Sequence, residues 1–170
     1  MIVTTVATAD TRASAATVFD VANDIEGIAE AFVSFGPIPG VARGEVVGGG
    51  PLAVGKTRRV HLTDGSMVEE DMLLFDRPRA FSYTLRGIGK PFGLIVREGK
   101  ANWMLTESSA GTHVHWQYSF ELTSPMMWPL AGPILHLLFN GWMRRCLGRI
   151  TELAVQTSTG IERPGATGTG

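Results

Sequence analysis

The spacing of apolar residues changes period along the chain, and each change predicts an element. Residues 2–9 alternate β-branched and small side chains, the pattern of a strand. Ser14 then precedes Ala15–Ala22, where Val18, Phe19 and Ala22 recur at helical spacing, so a helix capped by Ser14 is predicted. A second short helix is predicted over Ile25–Val33, with Ile28, Ala29, Phe32 and Val33 facing inward; Pro37, Pro39 and Gly40 end it. From 41 to 123 the period is two. Strands are predicted at Val41–Val47, Lys56–Leu62, Met67–Phe75, Ala80–Arg86, Leu94–Thr106 and Thr112–Leu122. From Ser124 to about Gln156 the helical period returns. Phe139, Met143, Cys146, Leu147, Ile150 and Ala154 fall on one arc of this helix, and Arg144, Arg145, Arg149 and Glu152 on the other. Its first half is apolar nearly all round, and Pro129 or Pro133 is expected to kink it.

Strands grouped together with helices at the ends predict an α+β fold with one antiparallel sheet of seven strands. The long last helix is the element able to cover the sheet. A single domain is predicted over 1–156, followed by a flexible tail at 157–170 that holds four Thr and four Gly.

Strand parity sorts side chains to one face. Val114, Trp116, Tyr118, Phe120 and Leu122 are assigned inward, with Ala101, Trp103 and Leu105, and Phe81, Tyr83 and Leu85. Asp64-Gly65 marks a hairpin. A three-residue turn pairs Thr63 with Met67, so that Arg58 faces Met72 and Val60 faces Glu70. Val60, Leu62, Val68, Met72 and Leu74 are then inward, together with Arg58 and Glu70. A two-residue turn instead sets Glu69 and Asp71 beside Arg58 and Val60.

Composition narrows the function classes. The 170 residues are 44% hydrophobic and only 18% charged, which excludes disorder for most of the chain. A net charge of −1 gives no general attraction to nucleic acid. The lone Cys146 excludes an internal disulfide framework; with no signal-like N-terminus, a cytoplasmic location is expected. Met126–Met143 is an 18-residue stretch without a formal charge, near the lower limit for a membrane span. Two prolines, two glycines, His136 and Asn140 dilute it, so a buried helix is expected instead.

The order of these pieces resembles the START, polyketide cyclase and birch-pollen-allergen superfamily, whose fold is called the helix-grip. The resemblance spans about residues 2–156. It is carried by Ala15–Val21 with Asn23-Asp24, by Gly55–Arg58, by Asp64–Glu70, by Asp76–Tyr83, by Gly111-Thr112 before Trp116, and by the terminal helix. It implies a curved sheet wrapped around that helix, with two short helices after the first strand. It also implies functions ranging from lipid or hydrophobic-ligand carriage to polyketide cyclisation, hydrolysis and partner binding, among which a fold does not choose.

Three functions are therefore carried forward. The first is a carrier or sensor of a lipid, quinone or polyketide-like molecule, held in a cavity between sheet and helix. Its expected lining is Phe19, Phe32, Met72, Phe81, Tyr83, Trp103, Trp116, Tyr118 and Asn140. The second is a cyclase or dehydratase using Arg58, Glu70 and His136, the last placed on the sheet side by a count of 100° per residue. Both residue sets have a plain structural reading. Arg58 and Glu70 can be an ion pair that fixes register, and His136 a satisfied core residue. The third is an interaction module using 126–143 as a dimer or partner surface, with oligomeric state left open. Met126, Met127 and Trp128 also suit contact with a membrane surface. His113 and His115 lack a third ligand at fixed spacing, so no metal site is expected, and no cofactor motif is present.

Overall fold

The computed structural model describes residues 1–160. Strand β1 (Ile2–Thr11) is followed by helix α1 (Ala15–Ala22), where the Ser14 side chain accepts from the Thr17 amide as predicted. The second helix, α2, is shorter than its pattern suggests and covers only Ile28–Ala31. Six strands follow: β2 (Val41–Val46), β3 (Thr57–Leu62), β4 (Met67–Asp76), β5 (Ala80–Arg86), β6 (Val96–Ser108) and β7 (Gly111–Leu122). They form one antiparallel sheet in the order β1-β7-β6-β5-β4-β3-β2. The terminal helix has three parts: α3 (Trp128–Pro133), a π-helical stretch at Ile134–Phe139, and α4 (Asn140–Ser158). It ends two residues beyond the expected boundary. The tail expected from 157 lies outside the described residues from 161 onward.

Rungs of paired residues organise the inner face. Phe81, Trp103 and Trp116 are register partners across β5, β6 and β7, with Ala7 of β1 beyond them. Their rings stack, at 5.0 Å between Phe81 and Trp103 and 4.2 Å between Trp103 and Trp116. Phe19 of α1 meets Phe75 and Phe81 edge-on, so α1 covers this end of the sheet. The inward arc of α4 is buried as assigned, from Phe139 and Met143 to Ala154. Asn140 donates to Thr5 Oγ1 at 2.9 Å and to the Val6 carbonyl at 2.6 Å, clamping the helix to β1.

Three local readings are corrected. The β3–β4 loop is Thr63–Gly65, with Gly65 at φ +85°, and Leu62 donates its amide to Ser66 rather than Thr63 pairing with Met67. The left-handed residue of such a loop is its last, not its second, which shifts the pairing by two. Arg58 therefore faces Glu70, and Val60 faces Val68. The two-residue alternative is excluded, because Glu69 pairs with Arg59 and Asp71 with Thr57. Second, Leu74 is not inward. β4 bulges between Met72 and Leu74, which turns Leu73 and Leu74 outward and brings Phe75 in. Third, His136 is exposed. The π-helical stretch holds more residues per turn than the assumed count, so the phase carried back from Met143 rotates His136 away from the sheet. Its ring sits 6.2 Å from Trp128 instead.

Candidate functional site

A cavity of about 610 Å³ lies between the inner sheet face and the terminal helix, at the end opposite the stacked rung. Its size falls within the usual range for small-molecule sites. Its walls are mostly apolar. The sheet supplies Val60, Val68 and Leu85, and the helix supplies Ile134, Leu138 and Phe139. Phe32 and Trp142 close one side, and Ile88 and Phe92 close another.

Four polar side chains converge on this wall: Arg58, Glu70, Tyr83 and Tyr118. Each is buried. Arg58 Nε donates to Glu70 Oε2 at 2.5 Å across the β3–β4 rung. Burial works against the Arg58 charge, but the Glu70 carboxylate outweighs it and holds the guanidinium more firmly protonated than usual. The guanidinium carbon lies 5.5 Å from the Tyr83 ring centre. Arg58 Nη1 is buried without a hydrogen-bond partner among the described residues. Such a donor costs about 1–3 kcal/mol when left unpaired.

The two phenols meet because of what lies between them. Tyr83, Ala101 and Tyr118 share one rung, and the small Ala101 leaves room for the hydroxyls to hydrogen-bond at 2.9 Å. Burial pushes both phenols well above their ordinary range, so they stay protonated donors. One rung further, Gly99 lies beside Phe120, where a Cβ would approach the ring to 3.0 Å. Small residues on β6 thus leave room for the rings of the neighbouring strand.

Of the residues assigned in advance, Arg58, Glu70, Phe32, Tyr83 and Tyr118 line the cavity. Phe19, Met72, Phe81, Trp103 and Trp116 do not. They are buried in the packed part of the core, because cross-strand aromatic partners satisfy one another and leave no space. Asn140 is spent on β1, and His136 points away. The residues missed include those of the segments at 37–41 and 87–95, Asp64 and Ser66 of the β3–β4 turn, and those of the helix entrance. A signal for the 87–95 segment was present: Ile88, Phe92, Leu94 and Ile95 are apolar residues set among Gly and Pro.

The other candidates take no part. His113 Nδ1 bonds Asp10 at 2.7 Å on the outer face. Among the described residues no three His, Cys, Asp or Glu side chains are grouped to hold a metal ion. No described helix is long and apolar enough to cross a membrane. Cys146 is buried and its thiol is pushed up to about 12 by desolvation.

The family model described as polyketide cyclase/dehydrase and lipid transport matches residues 3–155. The chain belongs to this family. Among curated proteins none matches its sequence. Solved structures confirm the helix-grip architecture. The di-domain ARO/CYC StfQ from the steffimycin biosynthetic pathway superposes with TM-score 0.71 at 12% identity, covering 94% of this chain and 53% of that one. Ara h 8.0201 gives 0.65 at 14%, covering 92% and 99%. Norcoclaurine synthase from Thalictrum flavum, in complex with dopamine and hydroxybenzaldehyde, gives 0.67 at 12%, covering 92% and 88%.

Proposed function

We propose that this family member binds a hydrophobic small molecule, a lipid, quinone or polyketide-like compound, as a carrier or sensor. The observation carrying the reading is an apolar cavity of about 610 Å³ with one polar cluster in its wall. Apolar walls supply affinity by removing ligand surface from water, at roughly 25 cal/mol per Å². The polar cluster supplies orientation. Arg58 and Glu70 neutralise each other, so the cavity suits a neutral ligand. A ligand carbonyl reaching Arg58 Nη1 would satisfy that donor, and the Tyr83–Tyr118 pair has one further hydroxyl proton to give.

Native mass spectrometry of the protein as isolated from cells tests this. A bound apolar molecule is expected, or, after delipidation, saturable binding of anilinonaphthalene sulfonate that a Val68→Trp change blocks. A protein that carries nothing and binds no probe would defeat the reading.

A second reading is catalysis in the same cavity, favoured by the meeting of a carboxylate, a guanidinium and two phenols at one place. Glu70 would take a proton from a methylene between two ketones. The resulting enolate carbon would form a bond to a second carbonyl of the same chain, whose oxygen would take a proton from a phenol. Arg58 would stabilise the developing oxyanion. Unchanged turnover of a polyketone by Glu70→Gln would remove Glu70 from that scheme.

A further inference from the structure

Several large apolar side chains are exposed around the mouth of the cavity. Met126 is 84% exposed, Leu137 73%, Leu94 57% and Leu130 56%. Trp128 is 42% exposed, and its indole lies over Gly132 beside exposed His136. Leu94 comes from the loop before β6, and the others from the entrance of the terminal helix, so the patch joins two separate segments across the opening. Leu94, Leu130 and Leu138 also line the cavity. On this side the apolar wall therefore runs from the interior to the surface, while Asp64, Ser66 and Lys90 line the cavity elsewhere.

We propose that this end of the molecule docks on an anionic lipid bilayer, with the cavity mouth against the membrane. Two observations select a bilayer over a folded partner. The first is the lack of pattern. From Met126 to Met143 there is no formal charge, and of its two strongly polar residues Asn140 is committed to β1. A protein interface of this size places hydrogen-bonding groups in register with its partner, about one per 100–200 Å². A bilayer interior asks for none.

The second is the charge at the edge. Lys90, exposed beside the mouth, forms no ion pair among the described residues. Arg144 bonds only the Asn140 side chain, and neither it nor Arg145 has a carboxylate partner there. Arg43, Arg59, Arg77, Arg79, Arg86, Arg97 and Arg149 are each paired with a carboxylate, whereas Arg12, Lys56 and Lys100, elsewhere on the molecule, have no such partner among the described residues. Unpaired cations flanking an apolar face match lipid phosphates, each contributing about 1 kcal/mol near an anionic surface. Trp128 and His136 are amphipathic rings suited to the headgroup level.

The docking itself stands on exposed side chains; only the idea that ligand passes directly between cavity and bilayer rests on the function proposed above. The 170-residue chain carries its own reporter. Trp103 and Trp116 are buried in the packed core and Trp142 lies in the cavity wall, so Trp128 is the indole on the outer surface. With vesicles of equimolar phosphatidylcholine and phosphatidylglycerol, co-sedimentation and quenching of tryptophan emission by brominated chains are expected. Trp128→Phe should remove the part of the quenching that comes from the outer surface, leaving only that of Trp142 in the cavity wall, while most protein still sediments. Met126→Asp with Leu137→Asp should lower partitioning about tenfold or more, since charged residues are strongly disfavoured in lipid. Both sites are exposed, and an unchanged urea midpoint would show that the variant is folded. No sedimentation, or sedimentation indifferent to the double change, would overturn the proposal. So would a dimer by light scattering that the double change dissolves, which would assign the face to a second copy. Native mass spectrometry separates the two proposals: a double variant that keeps its ligand but loses vesicle binding leaves the cavity reading standing, and a parent protein that takes no ligand but binds vesicles leaves the docking standing.

Discussion

The Arg58–Glu70 pair has two opposed consequences. Both side chains are nearly inaccessible, at 1% and 9%, so their attraction is set against the cost of removing two charges from water. Removing one partner leaves the other uncompensated. Glu70→Gln is expected to destabilise the fold by about 3 kcal/mol or more in urea unfolding. Replacing both, Arg58→Met with Glu70→Leu, should cost less than either single change, because both desolvated charges leave together. Independent, additive costs would show that the two are not coupled. The sequence left the direction of both residues open between two turns; the three-residue turn carried them inward, and that parity survives the two-residue shift of register. Their facing each other was not legible, because it depends on which residue of the turn is left-handed. The Tyr83–Tyr118 contact was also missed. It depends on Ala101 between them, a residue whose contribution is the space it leaves.

Among the elements, irregularities position the site more than regular stretches do. The Thr63–Gly65 loop sets the β3–β4 register, and its last residue needs a positive φ. Nothing lies within 4 Å of a Cβ built at Gly65, so Gly65→Ala tests backbone conformation alone. A loss of about 1 kcal/mol is expected from thermal or urea unfolding. An unchanged midpoint would mean that the turn adopts another form without cost. The β4 bulge and the π-helical stretch each add residues that ordinary periods do not count. Each left the element legible and shifted the side chains beyond it, Leu74 in one case and His136 in the other. Such insertions leave no signature in apolar spacing, since they break the pattern that would reveal them. The strands without bulges in their inner half, β7 and the later part of β6, were read residue by residue.

At the scale of the molecule, burial of ionisable groups sets its response to base. The Cys146 thiol is pushed up to about 12, and both Tyr83 and Tyr118 are pushed above the ordinary phenol range. The unfolded chain releases these protons while the folded chain retains them. Stability is therefore unaffected by these groups below the ordinary thiol range and falls as pH rises beyond it. Each group that only the unfolded chain has ionised lowers stability by about 1.4 kcal/mol per pH unit. Urea midpoints measured from neutral to strongly alkaline pH should decline, less steeply for Tyr118→Phe than for the parent. A flat profile would place the phenols in water. The architecture itself was legible from length, order and period, because a long apolar-sided helix and seven strands leave few ways to cover a sheet. The division of its interior into a packed end and a hollow end was not. Both ends use the same inward alternation, and they differ only in whether neighbouring strands place large rings side by side, as at Phe81, Trp103 and Trp116, or separate them, as at Tyr83, Ala101 and Tyr118.

The packed end has an optical consequence. Two indoles stacked 4.2 Å apart, with planes 22° from parallel, share their electronic excitations, and such a pair gives a split circular dichroism band of its own. Trp116 also touches Phe32 and Trp142, which stand in the cavity wall. Whatever enters the hollow presses on those two rings and, through them, on the coupled indoles. A ligand of the proposed kind would thus be read, with no label attached, as a change in that band on titration.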